Sequence, residues 1–310
     1  MAEKSTRKAL LRPLLILAAF AVGSAMPQLS CFRGAMRYIL MLMLFFIFSK
    51  LDFAELRPRK QHLYLLLANL LLPLAVYAGF MVLGMRDLAL AAFFIAITPT
   101  ATAAPVILSF LGGNINFVVS CFIITNLGVI GALFFLIPLL VTGKSDLAEF
   151  GRVGLNLAIT MVVPAVVAQL TRHLMPSGVV WRQRFTNLNF YLWVVLLVLI
   201  SANATAFIRS HREVPLQTIL AIALLSAVIC AVNFTLGAVL GGKSFRQEGS
   251  QGFGQKNTTL TIVLATTFAS PLVALGPTIY VLWHNVWNAC QLYMLEKRKL
   301  KAAQTQENEL

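Results

Sequence analysis

Apolar residues run along this chain in long blocks separated by short polar turns, without the sustained alternation of a half-buried strand. Ten blocks approach the ~20 residues that a helix needs to cross a bilayer. They lie near residues 14–29, 36–48, 63–85, 88–111, 115–141, 150–170, 188–208, 216–240, 251–270 and 272–295. The first two are short and are expected to borrow flanking residues. Only Pro271 parts the last pair. Lys4, Arg7, Lys8 and Arg12 precede the first block as in a signal peptide, but no convincing small-residue cleavage site follows, so the block is expected to be retained.

Composition turns this pattern into a class. Of 310 residues, 59% are hydrophobic and 12% charged, with a mean hydropathy of +0.81. Soluble domains carry about 25% charged residues, so the polar surface here is too small to cover a globule in water. A soluble enzyme is excluded, and the expected solvent is lipid.

The excess of 25 Lys and Arg over 11 Asp and Glu would suit a nucleic-acid partner only if it formed a water-exposed patch. Its distribution says otherwise. With ten spans and an inside N-terminus, seventeen Lys and Arg fall in inner segments and seven in outer ones, including Arg33 and Arg37. That is the positive-inside asymmetry of a membrane protein with both termini cytoplasmic. The inner (plasma) membrane is the expected location, and no nucleic acid is expected.

The remaining cation, Lys256, lies inside the ninth block, while the acids fall in loops, termini or span edges. An ionisable residue at membrane depth is costly and usually faces a cavity, so it marks a functional site by default. The alternative is a lysine that snorkels to the cytoplasmic interface.

Two blocks are interrupted. The fourth contains Thr98-Pro99-Thr100-Ala101-Thr102-Ala103-Ala104-Pro105, in which each proline lacks a backbone donor and disfavours helix just before it. The ninth contains the polar, glycine-rich stretch from Gly249 through Gln251, Gln255, Lys256, Asn257 and Thr258 to Thr259. Irregular backbone survives at membrane depth only where it is packed in protein or lines a wet cavity. The breaks lie about half the chain apart, as in two inverted five-helix repeats of a secondary transporter. The expected fold is therefore all-α and polytopic, with ten transmembrane helices and broken helices 4 and 9 crossing at the midplane beside the substrate.

The residues from Thr98 to Asn114, with their prolines and closing Gly112-Gly113-Asn114, resemble the broken fourth helix of the bile acid:sodium symporter family. Gln255-Lys256-Asn257-Thr258-Thr259-Leu260 resembles its broken ninth helix, and Val281-Leu282-Trp283-His284-Asn285 resembles a Trp-His-Asn signature in the last helix of bacterial members. The likeness extends from Leu14 to about Lys299 and is weaker outside these motifs. It implies a single membrane domain over 1–310, with a core of about 63–142 and 216–295. A panel of about 14–50 and 150–208 would be the part against which the core moves.

The departures from the family are informative. Its sodium-coupled members carry Glu-x-x-x-Gln at the helix 9 break, whereas here one register gives Gly252 and Lys256 and the next gives Gln251 and Gln255. The family's Ser-Asn pair falls on Ala104-Pro105, and its helix 5 hydroxyls fall on Val118 and Phe122. Sodium needs oxygen ligands, and most are missing. Lysine, a compact charge, can take an ion's place.

The expected function is sodium-independent transport of a small organic anion, either proton-coupled or facilitative. The candidate site comprises Thr100, Thr102, Gln251, Gln255, Lys256, Asn257, Thr258, His284 and Asn285. His284 is expected to make a helix-packing hydrogen bond rather than to catalyse. Thr125, Asn126, Asn156, Asn203, Asn233 and Asn288 serve either as interhelical glue or as pathway residues. Cys31, Cys121, Cys230 and Cys290 are too dispersed to suggest a zinc motif or a disulfide framework. No metal, cofactor or enzymatic role is expected. A sodium-coupled anion symporter and a non-transporting receptor or scaffold are the alternatives.

Overall fold

A computed structural model describes residues 14–15, 17–49, 56–142, 147–174, 179–210 and 215–308. Among these there is helix and turn but no strand. Helix α1 covers residues 17–25 and leads through a 3₁₀ turn, Pro27–Phe32, into α2, Arg33–Phe48. Next come α3 (Lys60–Val82), α4 (Arg86–Ile97), α5 (Ala104–Leu111) and α6 (Ile115–Ile137). Two long helices follow, α7 (Leu147–Leu174) and α8 (Val179–Ser210), and then α9 (Leu216–Gly241). The chain continues through α10 (Arg246–Gly254), α11 (Thr258–Phe268) and α12 (Pro271–Asn308).

Among the described residues, five helical stretches are long and apolar enough to cross a membrane: Pro27–Phe46, Lys60–Val82, Ile115–Val141, Leu188–Phe207 and Leu216–Gly241. Their outer faces fit that setting. Leu71, Leu127, Phe135 and Leu224 are each at least 62% exposed, an apolar surface suited to lipid tails rather than water. The short helices lie inside this wrapping. Residues Ala89 to Ile97 of α4 and Glu248 to Gly254 of α10 are buried throughout, so the irregular backbone after them is shielded from lipid.

The local sequence explains the helix ends. Pro99 turns Thr98 out of the helical region, to φ −51° and ψ 127°. Gly112 closes α5 in the left-handed region at φ 78°, and Asn114 caps α6 by accepting from the Phe117 N–H at 3.1 Å. Between α9 and α10 the backbones touch. A Cβ on Gly249 would lie 2.3 Å from the Gly237 carbonyl oxygen, so only glycine permits this approach.

Helices α3, α4, α6, α9, α10, α11 and α12 pack on one another, and α2 packs on α7 and α8. The two groups meet where α5 touches α2, α6 touches α7 and α12 touches α8. Two sequence assignments change. Arg33 and Arg37 belong to α2 itself rather than to an outer loop, because the helix follows the 3₁₀ turn without a polar break. Glu248, read as a span-edge acid, is buried in the first turn of α10, where it accepts from the Asn114 N–H at 2.8 Å. The residues Lys4 to Arg12, Lys50 and Lys144 fall outside the described residues, as do the side chains of Asn156, Arg182, Arg184, Thr259, Lys299 and Lys301.

Candidate functional site

The two interruptions meet. Between α4 and α5 the chain is extended at Thr98 to Thr100, and between α10 and α11 it is extended at Gln255 and Lys256. Thr100 and Lys256 form an antiparallel bridge. The Ala101 N–H donates to the Gln255 carbonyl at 2.8 Å, and the Asn257 N–H to the Pro99 carbonyl at 2.9 Å. Each break thus satisfies polar backbone groups exposed by the other, which stabilises both in a setting without water.

Side chains brace the crossing. The Thr100 hydroxyl donates to the Gly252 carbonyl and accepts from Thr125 Oγ1 at 2.8 Å. Asn126 Nδ2 donates to the Thr100 carbonyl at 2.9 Å, and the Thr98 and Thr261 hydroxyls lie 2.9 Å apart. Thr125 and Asn126 are therefore glue for the crossing. Asn233 binds the Tyr280 hydroxyl, which donates in turn to the Gly254 carbonyl at 2.7 Å.

Lys256 is 1% exposed. Its Nζ donates to Asn69 Oδ1 on α3 and, at 3.3 Å, to the Ala96 carbonyl at the end of α4. It also sits 4.2 Å from the centroid of the Phe253 ring. The charge is held among helices α3, α4 and α10, so the interfacial snorkelling alternative does not describe it. Two oxygens and an aromatic face make a polar nest of the kind an ammonium requires inside protein.

A cavity of about 870 Å³ opens beside the crossing. Of the residues nominated from sequence, Thr102, Gln255, Lys256, Asn257, Thr258, His284 and Asn285 line it. Thr100 and Gln251 do not. Thr100 is consumed in the crossing, and Gln251 Nε2 donates to Asn288 Oδ1 at 3.1 Å and to Gln291 Oε1 at 2.6 Å, tying α10 to α12. Asn288 Nδ2 donates to Gln255 Oε1 at 3.0 Å and carries this network to the cavity edge.

His284 departs from its expected packing role. It is 5% exposed, stands edge-on to Tyr280, and its Nδ1 has no hydrogen-bond partner. Asn257 Nδ2 likewise has none. The sequence reading did not nominate Arg33, Arg37, Thr160, Asn203 or Thr278, which also line the cavity. Arg33 and Arg37 carried a signal, since a spacing of four puts both on one helix face; counting them as loop charges hid it.

The sodium ligands implied by the family resemblance do not fit. The position that would need a carboxylate holds Gly252 in one register and Gln251 in the other. Asn69 Oδ1 and the Ala96 carbonyl, oxygens of the kind a cation binds, already accept from the Lys256 ammonium. The chain matches no protein-family model and no curated protein.

Proposed function

We propose that this membrane protein is a secondary transporter of a small organic anion, similar in plan to the bile acid:sodium symporters and working without sodium. In this reading ten spans form two inverted five-helix repeats in the inner membrane, with both termini cytoplasmic. The α4–α5 and α10–α11 breaks then lie near the midplane, where transporters of this plan bind substrate.

The observation that carries the reading is the pairing of two helix breaks at the wall of a cavity, with a lysine locked into the crossing. Such a crossing places the N-terminal ends of α5 and α11 beside the cavity, where their dipoles favour an anion. The Lys256 ammonium supplies a positive charge where coupled relatives bind an ion. Held through the whole cycle it gives facilitated diffusion; gained and lost with the anion it gives proton coupling.

The test is a solute screen on proteoliposomes, run with and without sodium and with and without an imposed pH gradient. Uptake of an organic anion that a sodium gradient does not accelerate is the expected result; acceleration by the pH gradient selects proton coupling, and its absence facilitated diffusion. Steep sodium dependence would return the chain to the symporter mechanism. If no solute moves across vesicles containing folded protein, the receptor or scaffold alternative replaces transport.

A further inference from the structure

A second pocket, of about 270 Å³, lies where α3 and α6 begin, and it shares no residue with the large cavity. Arg57, Arg59, Asn114, Asn116 and Phe117 line it. It is smaller than the ~300–1,000 Å³ of sites for organic ligands. Among the described residues, no Asp or Glu lines it. Both arginines are exposed, and among the described residues no hydrogen bond or ion pair engages the Arg57 guanidinium.

A fixed frame presents these cations. The Arg59 N–H donates to His62 Nδ1 at 3.0 Å, which leaves His62 Nε2 to donate to the Phe117 carbonyl at 3.1 Å. The Phe117 ring stacks on Phe245 with centroids 4.6 Å apart, and the Arg59 guanidinium lies 4.8 Å from the Phe245 centroid. Phe245 belongs to the turn between α9 and α10, where exposed Lys243 and Arg246 flank it, so the stack brings further cations toward the pocket. Segments 50–60 and 243–248 together hold six cations against three acids. Of those acids, Glu248 is 8% exposed and already accepts from the Asn114 N–H at 2.8 Å, and Asp52 and Glu55 fall outside the described residues.

The depth of the pocket indicates where its anion comes from. Both α3 and α6 are long and apolar enough to cross a membrane, and the pocket sits at their first residues, where a span end meets lipid headgroups. Further along α3, Leu63, Leu67 and Leu71 are exposed on one helix face, an apolar track for acyl chains. In the proposed orientation this end faces the cytoplasmic leaflet, which carries anionic lipid.

We propose that this pocket binds the headgroup of an anionic phospholipid, with Arg57 and Arg59 on the phosphate oxygens and the acyl chains along α3. The planar guanidinium fork matches phosphate oxygens in pairs. The surrounding cations then select a headgroup with net negative charge over a zwitterionic one. The site does not depend on transport.

The experiment titrates purified full-length protein in detergent with dioleoyl phosphatidylglycerol, dioleoyl phosphatidylcholine and glycerol phosphate, reading binding by native mass spectrometry and stability by melting. Phosphatidylglycerol is expected to bind about tenfold or more tightly than phosphatidylcholine and to raise the melting temperature. Glycerol phosphate, which has the charge without the chains, should not compete with it at equal concentration. Replacing both arginines, Arg57→Gln with Arg59→Gln, should bring the two lipids to equal affinity. Because Arg59 also packs on Phe245, the single variant Arg57→Glu keeps the test decisive if the double variant does not fold. It should lower phosphatidylglycerol affinity several-fold without changing the melting temperature in lipid-free detergent. Arg86→Gln, at the start of α4, should leave the preference intact.

Equal affinity for the two lipids overturns the proposal, as does a phosphatidylglycerol preference unaltered in Arg57→Glu. An equal loss in Arg86→Gln also overturns it, since the lipid then answers net charge rather than a site. Competition by glycerol phosphate gives the pocket to a soluble phosphate instead of a lipid. All of these outcomes leave the transporter reading untouched, because solute uptake tests it separately.

Discussion

A lysine ammonium at membrane depth costs at least about 3 kcal/mol when placed alone on a helix. Lys256 offsets this with two charge-assisted hydrogen bonds and the Phe253 ring, contacts worth roughly 1–3 kcal/mol each. The balance depends on Asn69 remaining an acceptor. Asn69→Leu is expected to lower stability by about 2–3 kcal/mol, because the ammonium loses its side-chain acceptor while staying buried. Lys256→Met removes the charge together with the need for that acceptor and should cost less. The double variant should therefore be more stable than Asn69→Leu alone. Melting in detergent measures all three, and strictly additive losses would show that the two residues are not coupled. Two neighbouring threonines separate structure from binding. Thr100 braces the crossing, so Thr100→Val is expected to destabilise by about 1–3 kcal/mol. Thr102 lines the cavity, so Thr102→Val should change substrate affinity while leaving the melting temperature nearly unchanged. The reverse pattern would exchange their roles.

At the scale of elements, each break owes its shape to local chemistry that the sequence displays. Pro99 and Pro105 interrupt one segment, and the glycines from Gly249 to Gly254 loosen the other. Both interruptions were therefore legible, as were most residues at the cavity end of the crossing. The antiparallel bridge joining them was not, because Thr100 and Lys256 are brought together by the packing of α3, α4, α9 and α12 rather than by any local pattern. Nor did Asn69 stand out as the partner of Lys256; it is a single amide in an otherwise apolar helix. The α2 arginines were misplaced for another reason. Arg33 lies just before the apolar block at 36–48 and Arg37 at its edge, where charge usually marks a loop, whereas a 3₁₀ turn lets the helix start at Arg33 and carry both. Glycine contacts give an element-scale test. Gly249→Ala drives a Cβ into the backbone of α9 and is expected to cost several kcal/mol or prevent folding. Gly79→Ala, on α3 with open space around the new Cβ, should be neutral or stabilising by up to about 1 kcal/mol. Equal melting temperatures for the two variants would mean that the α9–α10 contact is not close.

Across the whole molecule, orientation is the property that a net charge of +14 conceals. The sum resembles that of a nucleic-acid-binding protein, but in the proposed topology, with Arg33 and Arg37 assigned to α2, its positions divide seventeen inside to five outside. Lysine and arginine near span ends hold their loops on the cytoplasmic side, while acids contribute little, so the division sets the direction of the chain. An odd number of spans in each half, five in the proposed topology, would then place α4–α5 and α10–α11 in opposite orientations, as an inverted repeat requires. Two loops discriminate between orientations. Lys144, between α6 and α7, is assigned outside, and Lys243, between α9 and α10, inside. In a background with Cys31, Cys121, Cys230 and Cys290 replaced by serine, a single cysteine at 144 is expected to react with an impermeant maleimide on intact cells. One at 243 should react only after the membrane is opened. Labelling of both sites from outside would break the odd count of spans separating them and with it the inverted repeat. Labelling of 243 alone would keep the repeat and reverse the protein in the membrane.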